Sequence, residues 1–226
     1  MLRGAGRRPR RLAEADALPV TFAGLSRYNV ANALAAAAAC DAVGLTTRQV
    51  GAGLRSFGLD AATNPGRLNV YERSGTFAIV DFAHNEAGLA GLMDVARAVA
   101  GDRRVRLAFG TAGDRTDAIL NRLGVIAGGA DDLVIAEKEH YLRGRGLEEM
   151  NELLRAGARE GGYNGEIPST GSELEALQQL LKRARTGDVC VVMAHVQRQE
   201  LFDWLTSKGF VPVGQERLRE VIGAAG

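Results

Sequence analysis

From residue 68 onward the chain alternates and then breaks into short apolar runs. Leu68, Val70 and Glu72 alternate with polar neighbours, Ser74-Gly75 turns the chain, and Thr76 to Val80 returns it. That pattern predicts a β-hairpin. Beyond it, short apolar runs bounded by Gly and Asp predict strands at Val105–Phe109, Leu133–Ala136, Glu166–Pro168 and Val189–Met193. Between the strands, apolar residues recur at helical spacing. Helices are predicted near Asn85–Ala100, Asp117–Ala127, Leu147–Glu160, Ser172–Ala184 and Gln197–Ser207. Strands that are apolar on both sides suit a mostly parallel sheet with helices on both faces, so the fold class is α/β.

The first 63 residues read differently. Residues 1–14 are basic and Pro-broken and read as a flexible tail. Leu18–Phe22 is a short strand-like run. Ser26 is a candidate N-cap for an alanine-rich helix over Val30–Ala42, apolar enough to need burial on most sides. Thr46 to Gln49 has capping-box spacing and opens a second helix with Val50, Leu54 and Phe57 inward. Asn64-Pro65-Gly66 is a turn signal, which places a boundary between residues 15–63 and a sheet domain over 64–226.

Composition narrows the partners. A net charge of +1 gives no field to attract nucleic acid. Cys40 and Cys190 are far apart and fit buried thiols in a reducing cytoplasm. No apolar run is long enough to span a bilayer, and the N-terminal arginines precede no apolar core of a secretory signal. The chain is therefore expected to be cytoplasmic, with neither membrane nor nucleic acid as partner.

Candidate chemistry sits at strand ends, where open α/β sheets bind ligands. Asp81 closes an apolar run and His84 follows; a carboxylate there can accept from ribose hydroxyls. Arg67 follows the tight Pro65-Gly66 turn, and its planar fork suits phosphate. Gly110-Thr111-Ala112-Gly113-Asp114-Arg115 lies between a strand and a helix, where an anion can approach the backbone. Glu137 to Arg145 mixes Lys138, Arg143 and Arg145 with carboxylates and could hold a zwitterion. His195 is a fifth, weaker candidate. Each cluster also has a plainer reading: a turn cap, an exposed Arg, an ordinary βα turn, a solvated loop. His and Cys lack metal-ligand spacing, so no dedicated metal site is expected. No Ser or Cys has a nucleophile-elbow pattern, and no residue is assigned as catalytic.

Five segments together resemble the C-terminal portion of the Mur ligase family, closest to its cyanophycin-synthetase-like branch. They are Tyr28–Ala35, Asn64–Leu68, Val80–Asn85, Gly110–Arg115, and Lys138-Glu139 with Arg143-Gly144-Arg145. The resemblance implies an ATP-dependent amide ligase acting through an acyl phosphate. Its C-terminal domain is Rossmann-like and closes over the nucleotide. Residue by residue, it implies that Asn29 lies near adenine, Arg67 contacts the phosphates, and Asp81 and His84 line the nucleotide site together with Arg115. Lys138, Arg143 and Arg145 would help hold the incoming amino acid or small carboxylate. ATP and Mg²⁺ are the implied cofactors. Residues 15–63 would be a short helical remnant of the central ATPase domain.

One departure is large. No G-x-x-x-x-G-K-[ST] occurs in the chain, so the phosphate-binding Lys and the hydroxyl that holds Mg²⁺ are missing. One expectation is that the chain is part of a ligase, inactive alone and dependent on a P-loop lobe supplied elsewhere. The alternative is a non-catalytic nucleotide or amino-acid binding module. Without its usual neighbour the apolar helix should expose surface and favour self-association.

Overall fold

A computed structural model describes residues 10–225. Of the tail expected to be flexible over residues 1–14, the part before Arg10 lies outside the described residues, while Arg10 itself pairs with Asp41 and donates to Thr47 Oγ1 at 3.3 Å. Helix α1 (Arg27–Ala42) and helix α2 (Thr47–Ser56) come first. The capping box of α2 forms as expected: Gln49 N–H donates to Thr46 Oγ1 at 3.3 Å, and Thr46 N–H donates to Gln49 Oε1 at 2.9 Å. Leu18–Phe22 is not a strand. Pro19–Thr21 forms a 3-10 turn, because Pro19 has no N–H to give a ladder and Phe22 and Ala23 take left-handed φ of 56° and 53°.

α1 is not buried on most sides, and it exposes surface as expected of it without its usual neighbour. Only Asn29, Ala33 and Ala37 are buried along it, and Leu34 is exposed. These three lie at helical spacing on one narrow face, and alanine, the strongest helix former, supports the rest of the helix by propensity. Phe57, expected inward, is 45 % exposed. A small core of Leu18, Val20 and Ala33, with Leu54 and Leu59 against it, ties α1 and α2 together.

The hairpin is β1 (Asn69–Arg73) and β2 (Thr76–Asp81), paired antiparallel with Arg73 opposite Thr76. Ser74 and Gly75 both take positive φ, which a two-residue type I′ turn requires. Helix α3 (Glu86–Ala100) follows, then β3 (Val105–Phe109), α4 (Asp117–Ala127), β4 (Asp132–Ala136) and α5 (Leu147–Glu160). The chain continues through β5 (Ser169–Thr170), α6 (Glu173–Arg183), β6 (Val189–Met193) and α7 (Arg198–Ser207), and closes with β7 (Val211–Pro212) and α8 (Gln215–Ala225). The strand expected at Glu166–Pro168 pairs instead at Ser169–Thr170. Pro168 can only accept, and its carbonyl takes the N–H of Ile135.

The seven strands lie in the order β5-β4-β3-β6-β2-β1-β7. β5 through β2 run parallel, while β1 and β7 add an antiparallel edge. Both faces are buried. Phe77, Ile79, Leu107, Ile135 and Val191 pack on one side with α3, α4, α5 and α8. Ala78, Val80, Val134, Cys190 and Val192 pack on the other with α6 and α7. This two-sided burial is why the strands read as unbroken apolar runs. The architecture is the Rossmann-like, mostly parallel sheet covered on both faces, with the α1–α2 unit before it.

Candidate functional site

The site is built where the turn Pro65–Leu68 meets the end of β2. Gly66 has φ +73° and Leu68 φ +49°. Four hydrogen bonds hold this conformation. Gly66 N–H donates to Asn69 Oδ1 at 2.6 Å, and Asn69 Nδ2 donates to Leu59 O at 2.7 Å. Leu68 N–H donates to Asp81 Oδ2 at 2.8 Å, and Ala83 N–H donates to Asp81 Oδ1 at 2.7 Å. Asp81 is thus a buried clasp between the turn and its own strand end. Burial pushes its carboxyl above the usual range, against those two N–H groups and the charges of Arg67 and His84.

A cavity of about 800 Å³ opens beside this clasp, between α1–α2 and the β2–α3 connection. Asn29, Arg67, Asp81 and His84 all line it, with Tyr28 and Asn85. Its other end is apolar, formed by Ala33, Ala37, Val50 and Leu54. Asn85 caps α3, accepting from Gly88 N–H at 2.8 Å, so the loop that carries His84 is fixed at both ends. Burial pushes the Tyr28 phenol up, and the Asp81 charge adds to it. Three separate elements therefore deliver polar groups to one concave surface at the carboxyl edge of a strand, the arrangement expected of a ligand site.

Arg115, Lys138, Arg143 and Arg145 do not line this cavity. Lys138 is 5 % exposed and directed inward. Its Nζ lies 3.0 Å from Glu173 Oε1, 2.6 Å from His195 Nδ1 and 3.2 Å from Met193 O, so its three hydrogens have partners. Burial draws the ammonium down to about 8, against the pull of Glu173. Burial would raise Glu173, but Lys138 and the N–H groups of Gln197 and His195 overcome it and hold the carboxyl below its ordinary range. The pair is charged at neutral pH. Burial and then Lys138 push His195 down to about 4. Neutral His195 accepts from Lys138 at Nδ1, which leaves Nε2 to donate to Ala83 O at 2.7 Å. The network thus braces the loop that carries Asp81 and His84.

The remaining arginines act on the β3–α4 loop. Arg143 pairs with Asp114. Arg145 Nε donates to Gly113 O at 3.0 Å and Nη2 to Arg115 O at 3.1 Å, while Nη1 meets Asp117 at 2.8 Å and Glu149 at 2.5 Å. Arg115 is half-buried, and its Nε has no hydrogen-bond partner.

Residues 66–196 match the family described as Mur ligase, glutamate ligase domain. The chain belongs to the Mur ligase family. The matched span holds Arg67, Asp81, His84, Arg115, Lys138, Arg143 and Arg145; Asn29 lies before it. Among relatives, the cyanophycin synthetase of Geminocystis herdmanii is 31% identical over 182 residues, 80% of this chain and 21% of its own length. The UDP-N-acetylmuramoyl-L-alanyl-D-glutamate–2,6-diaminopimelate ligase of Corynebacterium glutamicum is 30% identical over 170 residues, 73% of this chain and 32% of its own length. The chain thus spans about a fifth to a third of these relatives. Of solved structures, a murein peptide ligase of Psychrobacter arcticus superposes with a TM-score of 0.60 at 21% identity, covering 80% of this chain and 36% of the other. FolC of E. coli in complex with ADP superposes with a TM-score of 0.55 at 26% identity, covering 79% and 39%.

In this Mur ligase domain several contributors are hard to read from sequence. Glu173, His195 and Lys138 are far apart along the chain, and only the pairing of β3, β4 and β6 brings them together. His195 gives a partial signal, since it follows a strand end as His84 does. Tyr28 is one residue from Asn29 and enters the cavity because α1 turns both toward α3. Among the described residues no three His, Cys, Asp or Glu side chains gather to hold a metal ion. Asp81 already uses each oxygen on a backbone N–H. The residues at this cavity do not fit a Mg²⁺ site of their own. No helix among the described residues is long and apolar enough to cross a membrane.

Proposed function

We propose that this chain is the nucleotide-closing, amino-acid-binding part of an ATP-dependent amide ligase of the Mur type. The acceptor carboxylate would attack the γ-phosphorus of ATP, ADP would leave, and an amine would then displace phosphate from the acyl carbon. The observation that carries this reading is the gathering of Asn29, Arg67, Asp81 and His84 around one cavity at the end of β2. Asn29 and Tyr28 face the base, Arg67 draws the phosphates by charge-assisted hydrogen bonds, and Asp81 keeps the Arg67 turn in place. Arg143 and Arg145 lie on a neighbouring loop at the same sheet edge and act on the amino acid or small carboxylate; Arg115, on the loop after β3, acts on the nucleotide from outside the cavity lining, and Lys138 acts through the loop it braces. The ADP-bound FolC relative supports a nucleotide as the ligand. The phosphates' other side, and Mg²⁺, are held by a P-loop lobe in the same or a separate polypeptide. The helical unit 15–63 and the domain 64–226 form the two walls, and a cytoplasmic setting follows from the need for ATP.

Calorimetric titration with ATP–Mg²⁺ and with amino acids, singly and together, tests this. Saturable ATP binding that weakens in Arg67→Ala is expected. No heat with any nucleotide would remove the reading. Nucleotide binding that never yields turnover with any P-loop lobe would leave a non-catalytic binding module instead.

A further inference from the structure

Phe82, between Asp81 and Ala83, carries more than packing. Its ring stands edge-on to His195 at 5.1 Å and tilted to His84 at 5.3 Å. Two guanidinium groups lie over the same ring, Arg67 with Cζ at 4.9 Å from the centroid and Arg198 at 5.6 Å. Arg198 is the first residue of α7, far from Arg67 in sequence. Its side chain reaches the ring by crossing the Pro65–Leu68 turn at Gly66. A methyl group built on Gly66 would sit 2.6 Å from Arg198 Cδ, and φ there is +73°. Glycine is therefore required twice, for the backbone and for the passage of Arg198.

Several arginines in the structure have carboxylate partners: Arg106, Arg143, Arg145 and Arg217 each reach an Asp or Glu. Among the described residues Arg67 and Arg198 make no ion pair with a carboxylate; the ring is their shared contact. The nearby acids are already engaged. Asp81 accepts from Leu68 and Ala83, and Glu173 accepts from His195, Gln197 and Lys138. A guanidinium held over a ring by the cation–π attraction spends no N–H donor on a carboxylate and keeps its donors for a ligand. Two such forks, held over one aromatic ring, are oriented before any ligand arrives, which lowers the cost of binding.

We propose that Arg198 joins Arg67 to form a two-pronged site for a polyphosphate anion, the phosphate chain of the nucleotide. This rests on the nucleotide reading of the adjoining cavity. Tripolyphosphate, ATP and adenosine separate the sources. Each is titrated into the wild-type chain, Arg67→Ala, Arg198→Ala and Arg198→Gln, with thermal unfolding recorded for each variant. The expected result is that both Arg198 variants fold like wild type, bind tripolyphosphate and ATP about tenfold more weakly, ~1.4 kcal/mol, and keep adenosine affinity. Unchanged tripolyphosphate affinity in both Arg198 variants overturns the proposal, even while Arg67→Ala weakens ATP and the nucleotide reading stands. An equal loss for adenosine overturns it too, since Arg198 would then act on the fold of the cavity. Wild type that binds tripolyphosphate through Arg198, but ATP no better and adenosine not at all, keeps the anion site and removes the nucleotide reading. Wild type that binds none of the three removes both.

Discussion

At the scale of single residues, the buried Lys138–Glu173–His195 network makes two measurable demands. The first concerns pH. His195 titrates near 4 in the folded chain against an ordinary 6.5. Between those values the unfolded chain binds a proton that the folded chain does not, so stability rises with pH across the window. The stabilisation is complete above about pH 6.5 and is lost as pH falls through about 4. Asp81 has the opposite sign, since its raised carboxyl makes stability fall as pH rises through its own range. Comparing wild type with His195→Gln cancels that term. Gln offers an acceptor to Lys138 and a donor to Ala83 O without titrating. Urea unfolding from pH 4 to 7 should show a slope shallower by up to about 1.4 kcal/mol per pH unit in the variant. Identical slopes would mean that His195 is not held neutral. The second demand concerns the ion pair. Lys138→Met leaves the Glu173 carboxylate without its cation and should cost about 3–5 kcal/mol, much of it recovered in Lys138→Met/Glu173→Gln. A loss below about 1 kcal/mol would mean that the pair is solvated. Neither residue announces this role in sequence. Lys138 sits in a run of charges that reads as a surface loop, and its inward turn follows from carbonyls that only the folded sheet edge supplies.

At the scale of elements, the legible parts are those whose neighbours impose one period. β3 and β6 lie where their apolar runs place them, as do α4 and α5, because both sheet faces are covered and strand positions are apolar except where a buried partner is supplied, as Asp132 and Asp188 do for Arg106 in β3. α8 and β7 escaped notice. β7 has two residues, one of them Pro, at an edge where pairing needs few donors, and α8 follows it with a mixed charged pattern. The alanine-rich α1 misled for a different reason: alanine counts as apolar yet gains little from burial. The glycines of α4 and α5 hold a closer constraint. A methyl on Gly157 would lie 1.9 Å from Asn121 O, and one on Gly124 2.4 Å from Leu154 O. The two helix backbones touch there, and no rotamer change relieves a clash with a carbonyl. Gly157→Ala should therefore destabilise by about 3 kcal/mol or more, at the upper end of overpacking. Gly53 in α2 has nothing within 4 Å of the same position. Gly53→Ala should stabilise by roughly 0.5–1 kcal/mol through helix propensity. Thermal unfolding of the pair distinguishes contact from propensity; equal shifts of the same sign would refute the backbone-contact account.

At the scale of the whole molecule, the cavity lies between the α1–α2 segment and the sheet, whose larger core also takes in Phe22, with Leu25 and Tyr28 packed against it. The α1–α2 unit has its own small core, and the sheet has two larger ones. A ligand there touches both, so its binding reports on how they are held together. The same geometry bounds what the chain can do. Enzymes lower barriers by about 8–23 kcal/mol. In phosphoryl transfer most of that comes from alignment and from charge placed around the phosphates. This chain offers Arg67 and Arg198 beside the cavity, but no P-loop sequence and no acidic cluster for Mg²⁺ among its described residues. By itself it is expected to show no ATP-dependent ligation, while binding nucleotide weakly from one side. Supplying a P-loop lobe of the same family should restore phosphate release with a suitable carboxylate and amino acid. Arg67→Ala should then reduce that turnover on the order of a hundredfold, the scale of losing one donor to a developing charge. The chain, the lobe and their mixture are assayed for phosphate release with each amino acid in turn. Turnover by the chain alone, in a preparation free of other ligases, would place a complete phosphate site within these 226 residues. Restored turnover indifferent to Arg67 would instead show that the lobe works without the cavity described.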